Sequence, residues 1–342
     1  MGRFLHEVLT MPSLLKLSSV ALVLILAGCG APNDKIYSLK LDFAPTDTQW
    51  AQSVPYRLRA DGGVTSQASD GAVDEDSVHT ATASCHHGAG SPPVDVEIKS
   101  FYTGDILYLR FEWGDPTRDE GPVWRWAQGG WTAGGAREDG LGILWGSEKS
   151  KFECTHLCHM VDWRMAGAKK SSAEFSMVAP EGSAADFWIW RSGRARPGGM
   201  AEDATLTPKG KAADGLSKDP LFIPNSNRAK KGLPEAFYPG DLPIAFPIPE
   251  PRASAMGYIL AEDAPGRTEV DARGEYSSGR WVLTLARPLK TSSPEDVTFA
   301  PGGEYQFGLA ILDGVALDHN ATRKPLHLTL VTQSPESGTG TK

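Results

Sequence analysis

The stretch VDVEIKSFYTGDILYLRFEWGDP, residues 94 to 116, constrains the fold more than any other part of the chain. Val94, Val96 and Ile98 alternate with Asp95, Glu97 and Lys99. After Thr103-Gly104-Asp105, the residues Leu107, Leu109, Phe111 and Trp113 alternate with Tyr108, Arg110 and Glu112. A period of two puts every second side chain on one face, so the pattern predicts a β-hairpin buried on one side. Strands this short hide their apolar faces only against a second sheet.

Further segments repeat the signal. DGLGILWG (139 to 146) is a short apolar run bounded by glycine, and Phe187 and Ile189 alternate with Trp188 and Trp190. Later come RWVLTLARPL (280 to 289), EYQFGLAILDG (304 to 314) and PLHLTLVT (325 to 332). Residues 60 to 82 are rich in Asp, Gly, Ser and Ala without periodicity and read as a loop. Residues 205 to 255, rich in proline, lysine and glycine, read as a long excursion of the kind that often carries function. With 37 Gly, 25 Pro and ten Trp in 342 residues, the chain suits short strands and aromatic packing rather than a helical bundle. The expected fold is mainly β, a single β-sandwich with a long irregular insertion and few short helices.

The beginning of the chain has a different character. In LLKLSSVALVLILAGCG, Lys16 precedes an apolar run that ends in small residues at Cys29, the layout of a secretory signal. Leu26-Ala27-Gly28-Cys29 has the form of a bacterial lipobox, in which Cys29 becomes the acylated first residue. The expected organisation is therefore a leader over 1–29, a tether over 30–48, one domain over 49–332 and a flexible tail over 333–342. Gly30 after the acylated cysteine points to the outer membrane, so the chain is expected to work in the bacterial periplasm. The net charge of -8 argues against nucleic acid, which calls for a basic face.

An exported protein works in an oxidising compartment, and beyond Cys29 it holds Cys85, Cys154 and Cys158. FECTHLCHMVDW, residues 152 to 163, puts two cysteines in a Cys-x-x-x-Cys-His arrangement, one residue longer than the usual haem attachment spacing. Two thiols can add to two vinyl groups, and a histidine beside the second can meet the iron. Two other readings stay open at this point. Cys154 and Cys158 can form a disulfide, or Cys154, Cys158 and His159 can hold zinc, joined by His156 or Cys85. Nothing in the chain has the form of a hydrolase elbow, a zinc-protease helix motif or a phosphate-binding loop.

The succession DILYLRFEWGDPTRDE, DGLGILWG, FECTHLCH and DFWIWRSGRARPGGMAED, continued by residues 280 to 330, resembles the haem-binding domain of the ethylbenzene dehydrogenase γ-subunit family. The likeness covers about residues 50 to 331. It implies a β-sandwich holding haem in an apolar cleft, electron transfer rather than catalysis, and a redox partner that is a molybdenum oxidoreductase or another cytochrome. In the γ-subunits methionine and lysine hold a b-type haem. Here the early region reads ASCHHG and the late region LDHNATRK, which offer His86 or His87 and His319 or Lys324 instead.

The expected centre is accordingly one haem, c-type in preference to b-type, attached through Cys154 and Cys158. His159 is the proximal ligand and His319, in a loop after the Phe307 to Ile311 strand, is the opposite one. His86 or His87 is the alternative, and Met160, Met165 and Met200 are remaining thioether candidates. Arg191, Arg194 and Arg196 are placed to meet haem propionates by charge-assisted hydrogen bonds. His79 and His327 read as structural, and most tryptophans as core. A lipid-anchored electron carrier is the leading function. The competing one is a carbohydrate- or ligand-binding β-sandwich lipoprotein with a Cys154–Cys158 disulfide.

Overall fold

A computed structural model describes residues 35–64, 92–121, 123–127, 130–135, 137–146, 158–161, 174–177, 184–194, 199–207, 210–213, 221–225, 254–260, 267–314, 319–322 and 324–332. The first strands are β1 (Ile36–Lys40), β2 (Tyr56–Ala60), β3 (Gly62–Val64), β4 (Val94–Tyr102), β5 (Ile106–Gly114), β6 (Val123–Ala127) and β7 (Gly130–Ala133). Next come β8 (Gly140–Trp145), β9 (Cys158–Val161), β10 (Glu174–Met177), β11 (Ala185–Arg191), β12 (Met200–Thr207), β13 (Gly210–Ala213) and β14 (Phe222–Pro224). The last are β15 (Ser254–Met256), β16 (Tyr258–Leu260), β17 (Val270–Ser277), β18 (Arg280–Pro288), β19 (Glu304–Leu312), β20 (His319–Ala321) and β21 (Leu326–Val331). Among the described residues there is one helix, α1 (Asp47–Gln52), started by a capping box in which Thr46 and Gln49 satisfy each other's backbone N–H.

The hairpin read from the sequence is β4 and β5, which pair antiparallel from Val96 opposite Trp113 to Tyr102 opposite Leu107. Ten strands then follow one another in the order β21-β1-β4-β5-β18-β17-β12-β11-β8-β19, and β19 pairs with β21 to close the ring. The mainly β fold is as expected. The two sheets of the expected sandwich, however, are joined at both edges into a closed sheet. Alternation tells which face of a strand is buried but not which edge meets which, so closure was not legible.

Residues 36 to 40, expected to belong to a tether, form β1, parallel to both β21 and β4. Ile36 and Ser38 face inward and are buried, while Tyr37 and Leu39 face out and are exposed. Pro32 and Pro45 drew attention away from this short alternation. The 205–255 excursion likewise contains strand: β12 runs on to Thr207 and pairs there with β13.

The ring interior is filled. Trp113, Trp145, Trp188 and Trp281 are all at most 2% exposed, beside Phe111, Phe307, Leu283 and Leu309. Trp190 of β11 meets Trp113 of β5 and Trp281 of β18 edge-on, with ring centroids 6.3 and 5.2 Å away. Gly274 on β17 makes room for this cluster, because a Cβ there would run into the Trp190 ring. Gly274→Ala is expected to lower stability by about 1–3 kcal/mol, since neither the ring nor the paired strand can yield freely. Urea unfolding checks this; a loss under about 0.5 kcal/mol would show that the Trp190 ring moves aside.

Candidate functional site

Among the described residues the ring interior is packed by tryptophans and other apolar side chains. The outer face of β12, β11, β8 and β19 is different. Inward positions are Asp203, Trp188 and Trp190, Ile143 and Trp145, and Leu309 and Ile311, so the residues between them face out. Those outward residues are unusually small along the middle: Gly140 and Gly142 on β8, Ala204 on β12, and Gly308 and Ala310 on β19. A Cβ built on Gly308 would meet nothing within 4 Å, and one on Gly142 would touch only the Phe187 ring. Leu144, Ala185 and Leu206, with Phe187 against them, make an apolar cluster on this side, separate from the main core. The result is a flat apolar floor roughly 20 Å along the strands and roughly 14 Å across.

The floor has two flared corners. At one end of β12, Ala204–Leu206 stay paired with β11 on one side, while on the other side Ala204–Thr207 pair with β13 in place of β17; β10 lies beside β13. At the opposite end of β19, Ala310–Leu312 pair with β20 rather than β21. Cross-strand register sets Arg191, Gly140, Leu312 and His319 in one row at this second end.

His319, expected in a loop, is the first residue of β20, half-buried, opposite Leu312 and Val64. Cys158 and His159 open β9, where His159 lies opposite Ser176 of β10. The two histidines therefore belong to elements at diagonal corners of the floor. Cys29, His79, Cys85, His86, His87, Cys154, His156, Met165 and Arg196 lie outside the described residues. Lys324 is exposed, and His327 is half-exposed with Nδ1 at 3.1 Å from Glu304 Oε1.

The two arginines behave differently. Arg194 donates from Nε to Glu138 Oε2 at 2.8 Å, and its guanidinium lies 4.5 Å from the Tyr258 ring centre. It is thereby held within the loops. Arg191 ends β11 in the His319 row, and its buried Nε has no hydrogen-bond partner among the described residues. Burial, then the nearby Arg194 charge, holds its guanidinium below the ordinary arginine range. An anion set beside Arg191 would relieve both effects.

Sequence reasoning missed the floor, although its signal was present: in DGLGILWG the glycines alternate with Leu141, Ile143 and Trp145. A cluster of acidic residues at one ring end was not legible in the sequence either. Asp115, Asp139 and Asp313 in fact converge at one ring end, with carboxylate oxygens within 4.8 Å of one another. Asp139 accepts from Asp119 N at 2.8 Å, Trp281 Nε1 at 3.0 Å and Gly314 N at 3.0 Å, which ties three loops together. Burial pushes its carboxyl up to about 7, with the Asp115 charge adding to the rise and the N–H donors opposing it. A second acidic group, Asp186, Asp203 and Asp296, surrounds Arg287 inside the ring.

The profile of the family described as ethylbenzene dehydrogenase matches residues 73–323. The chain belongs to the ethylbenzene dehydrogenase family. The matched span includes Cys85, His86, Cys154, Cys158, His159, Arg191, Arg194 and His319. No curated protein matches the chain. Among solved structures, a family 9 carbohydrate binding module from Caldicellulosiruptor kristjanssonii in complex with glucose is similar at 6% identity and TM-score 0.33, covering 88% of this chain and 97% of that one. The same kind of module from that organism in complex with cellotriose is similar at 8% identity and TM-score 0.33, covering 90% of this chain and 99% of the other.

Proposed function

We propose that this member of the ethylbenzene dehydrogenase family is a lipid-anchored haem protein that carries single electrons to or from a redox partner in the periplasm. Family membership together with Cys154-x-x-x-Cys158-His159 inside the matched span is the observation that carries this reading. The donor chemistry fits a haem. Neutral imidazoles suit iron, and the flat floor suits the face or edge of a macrocycle. The unpartnered Nε of Arg191 suits a propionate.

Cys154 and Cys158 would tether the group, and His159 and His319 would hold its iron. Arg191 would take a propionate in preference to Arg194, which Glu138 and Tyr258 already engage. The bound haem supplies a reversible one-electron couple. The protein's part would be to supply the iron's ligands from His159 and His319, keep water from the group and leave it accessible to a partner. The partner would be a molybdenum oxidoreductase or another cytochrome, and Cys29 would hold the protein at the outer membrane.

A pyridine haemochrome spectrum of the purified mature protein tests this directly. One covalently retained haem per chain is expected, with a low-spin spectrum. His319→Ala is expected to keep the haem while converting the iron to high spin. An unchanged spectrum in that variant would transfer the second ligand to His86 or His87. Colourless protein from cells competent in haem attachment, with Cys154 disulfide-bonded to Cys158, would overturn the proposal.

A further inference from the structure

Five large apolar side chains are exposed among the described residues, and four of them fall between Tyr37 and Val54. Tyr37 is 45% and Leu39 42% exposed on the outer face of β1, and Phe43 is 83% and Val54 80% exposed in the segments on either side of α1. Leu39 is linked to α1 through packed neighbours. Leu39 lies opposite Phe101 of β4 and Val331 of β21, and Phe101 meets Trp50 of α1 edge-on at 4.9 Å. The aromatic centre carries cations at its rim: Arg110 stands 5.7 Å from the Trp50 ring, and Lys99 Nζ donates to Trp50 O at 2.8 Å.

Where the chain enters this face identifies what would cover it. Only residues 30–34 separate Cys29 from Lys35, the first described residue, and β1 begins at Ile36. Fully extended, the six residues before β1 span at most roughly 20 Å. An acyl chain on Cys29 would thus hold this apolar strip at the bilayer surface. Phe, Tyr and Leu flanked by Lys and Arg are suited to the boundary between headgroups and acyl chains. Among the described residues no helix is long and apolar enough to cross a membrane.

We infer that the outer face of β1 with the flanks of α1, carrying Tyr37, Leu39, Phe43 and Val54, rests on the lipid bilayer to which Cys29 is anchored. This rests on the lipid-anchor part of the proposed function. Contact along the side of β1 lays the protein down on the membrane rather than letting it swing on a long tether. The opposite wall, with the β8–β11 floor, then faces the aqueous space where a redox partner moves. Because the whole chain carries a net charge of -8, apolar burial rather than charge attraction has to hold the face down.

The test uses the full mature protein in vesicles of phosphatidylethanolamine and phosphatidylglycerol, followed by hydroxyl-radical footprinting and mass spectrometry. Oxidation of Tyr37, Leu39 and Phe43 should slow by about tenfold relative to detergent-solubilised protein, while Met256, which is 44% exposed, keeps its rate. The protection should persist in high salt. Acylated protein that floats with vesicles yet oxidises at these residues as fast as in detergent would overturn the inference and leave the anchor standing. Protein that neither floats nor carries acyl mass on Cys29 would overturn both.

Discussion

Arg287→Met will destabilise the protein by about 3–5 kcal/mol at neutral pH, because it strands a buried carboxylate group without its cation. Arg287 is the last inward position of β18 and is 1% exposed. Its guanidinium lies 3.3 Å from Asp186, 3.6 Å from Asp203 and 2.5 Å from Asp296. Burial alone would lower its pKa, but the three carboxylates outweigh it and raise it instead. The same cation donates from Nη1 to Val297 O at 3.0 Å, and Asp186 Oδ2 accepts from Val297 N at 3.0 Å. The cluster therefore ties the segment after β18 to β11. It is also incompletely satisfied: three acids face one cation, and burial, first among its causes, pushes the Asp186 carboxyl up to about 6. Urea unfolding at pH 7 measures the loss, with Arg273→Met as control, since Arg273 is 82% exposed in its surface pair with Glu275. That control should change stability by less than about 0.5 kcal/mol. The Arg287 variant should recover part of its loss near pH 5, where protons replace the missing charge. A cost near 1 kcal/mol at pH 7 would mean that the acids already share protons and that the cation contributes little.

How much of this was legible depends on which physical signal each residue carries. Strand alternation is a local signal, and it placed β4, β5, β18, β19 and β21 well. The inward set Leu107, Leu109, Phe111 and Trp113 was visible before any coordinates. Arg287 was not singled out, although it continues the inward series Trp281, Leu283 and Leu285. A charge at an apolar position reads as a strand end unless its three acidic partners are known, and those come from β11, β12 and the segment that follows β18. The glycines of β8 were read as strand boundaries, yet two of them are outward positions of the strand itself. Gly140 has no space for a side chain, since a Cβ would press on the Trp190 carbonyl. Ring closure, the diagonal arrangement of β9 and β20, and the Asp115–Asp139–Asp313 convergence all depend on long-range pairing. No window of sequence contains that information.

The last of those features has a consequence that can be measured by titration. Asp139 is fully buried, and its carboxyl is raised to about 7 by burial first, with Asp115 adding repulsion. The charged groups around it are Asp115, Asp119 and Asp313, with Arg137 3.2 Å from Asp119 and 3.6 Å from Asp313. In the unfolded chain an aspartate loses its proton near pH 4, so between about 4 and about 7 the folded state holds one more proton than the unfolded state. Stability from this group is thus fully present at acid pH and falls as pH climbs through 7. Asp186 contributes in the same direction only up to about 6. Asp139→Asn keeps the neutral shape and removes the titration, so the stability gap to wild type should move in the variant's favour between pH 4 and pH 8. The shift should be on the order of 2–4 kcal/mol, and Asp186, present in both proteins, drops out of the gap. An unchanging gap would mean that Asp139 titrates as an ordinary carboxylate. A gap moving the other way would mean that the N–H groups of Asp119, Gly314 and Trp281 outweigh burial and hold the carboxylate ionised.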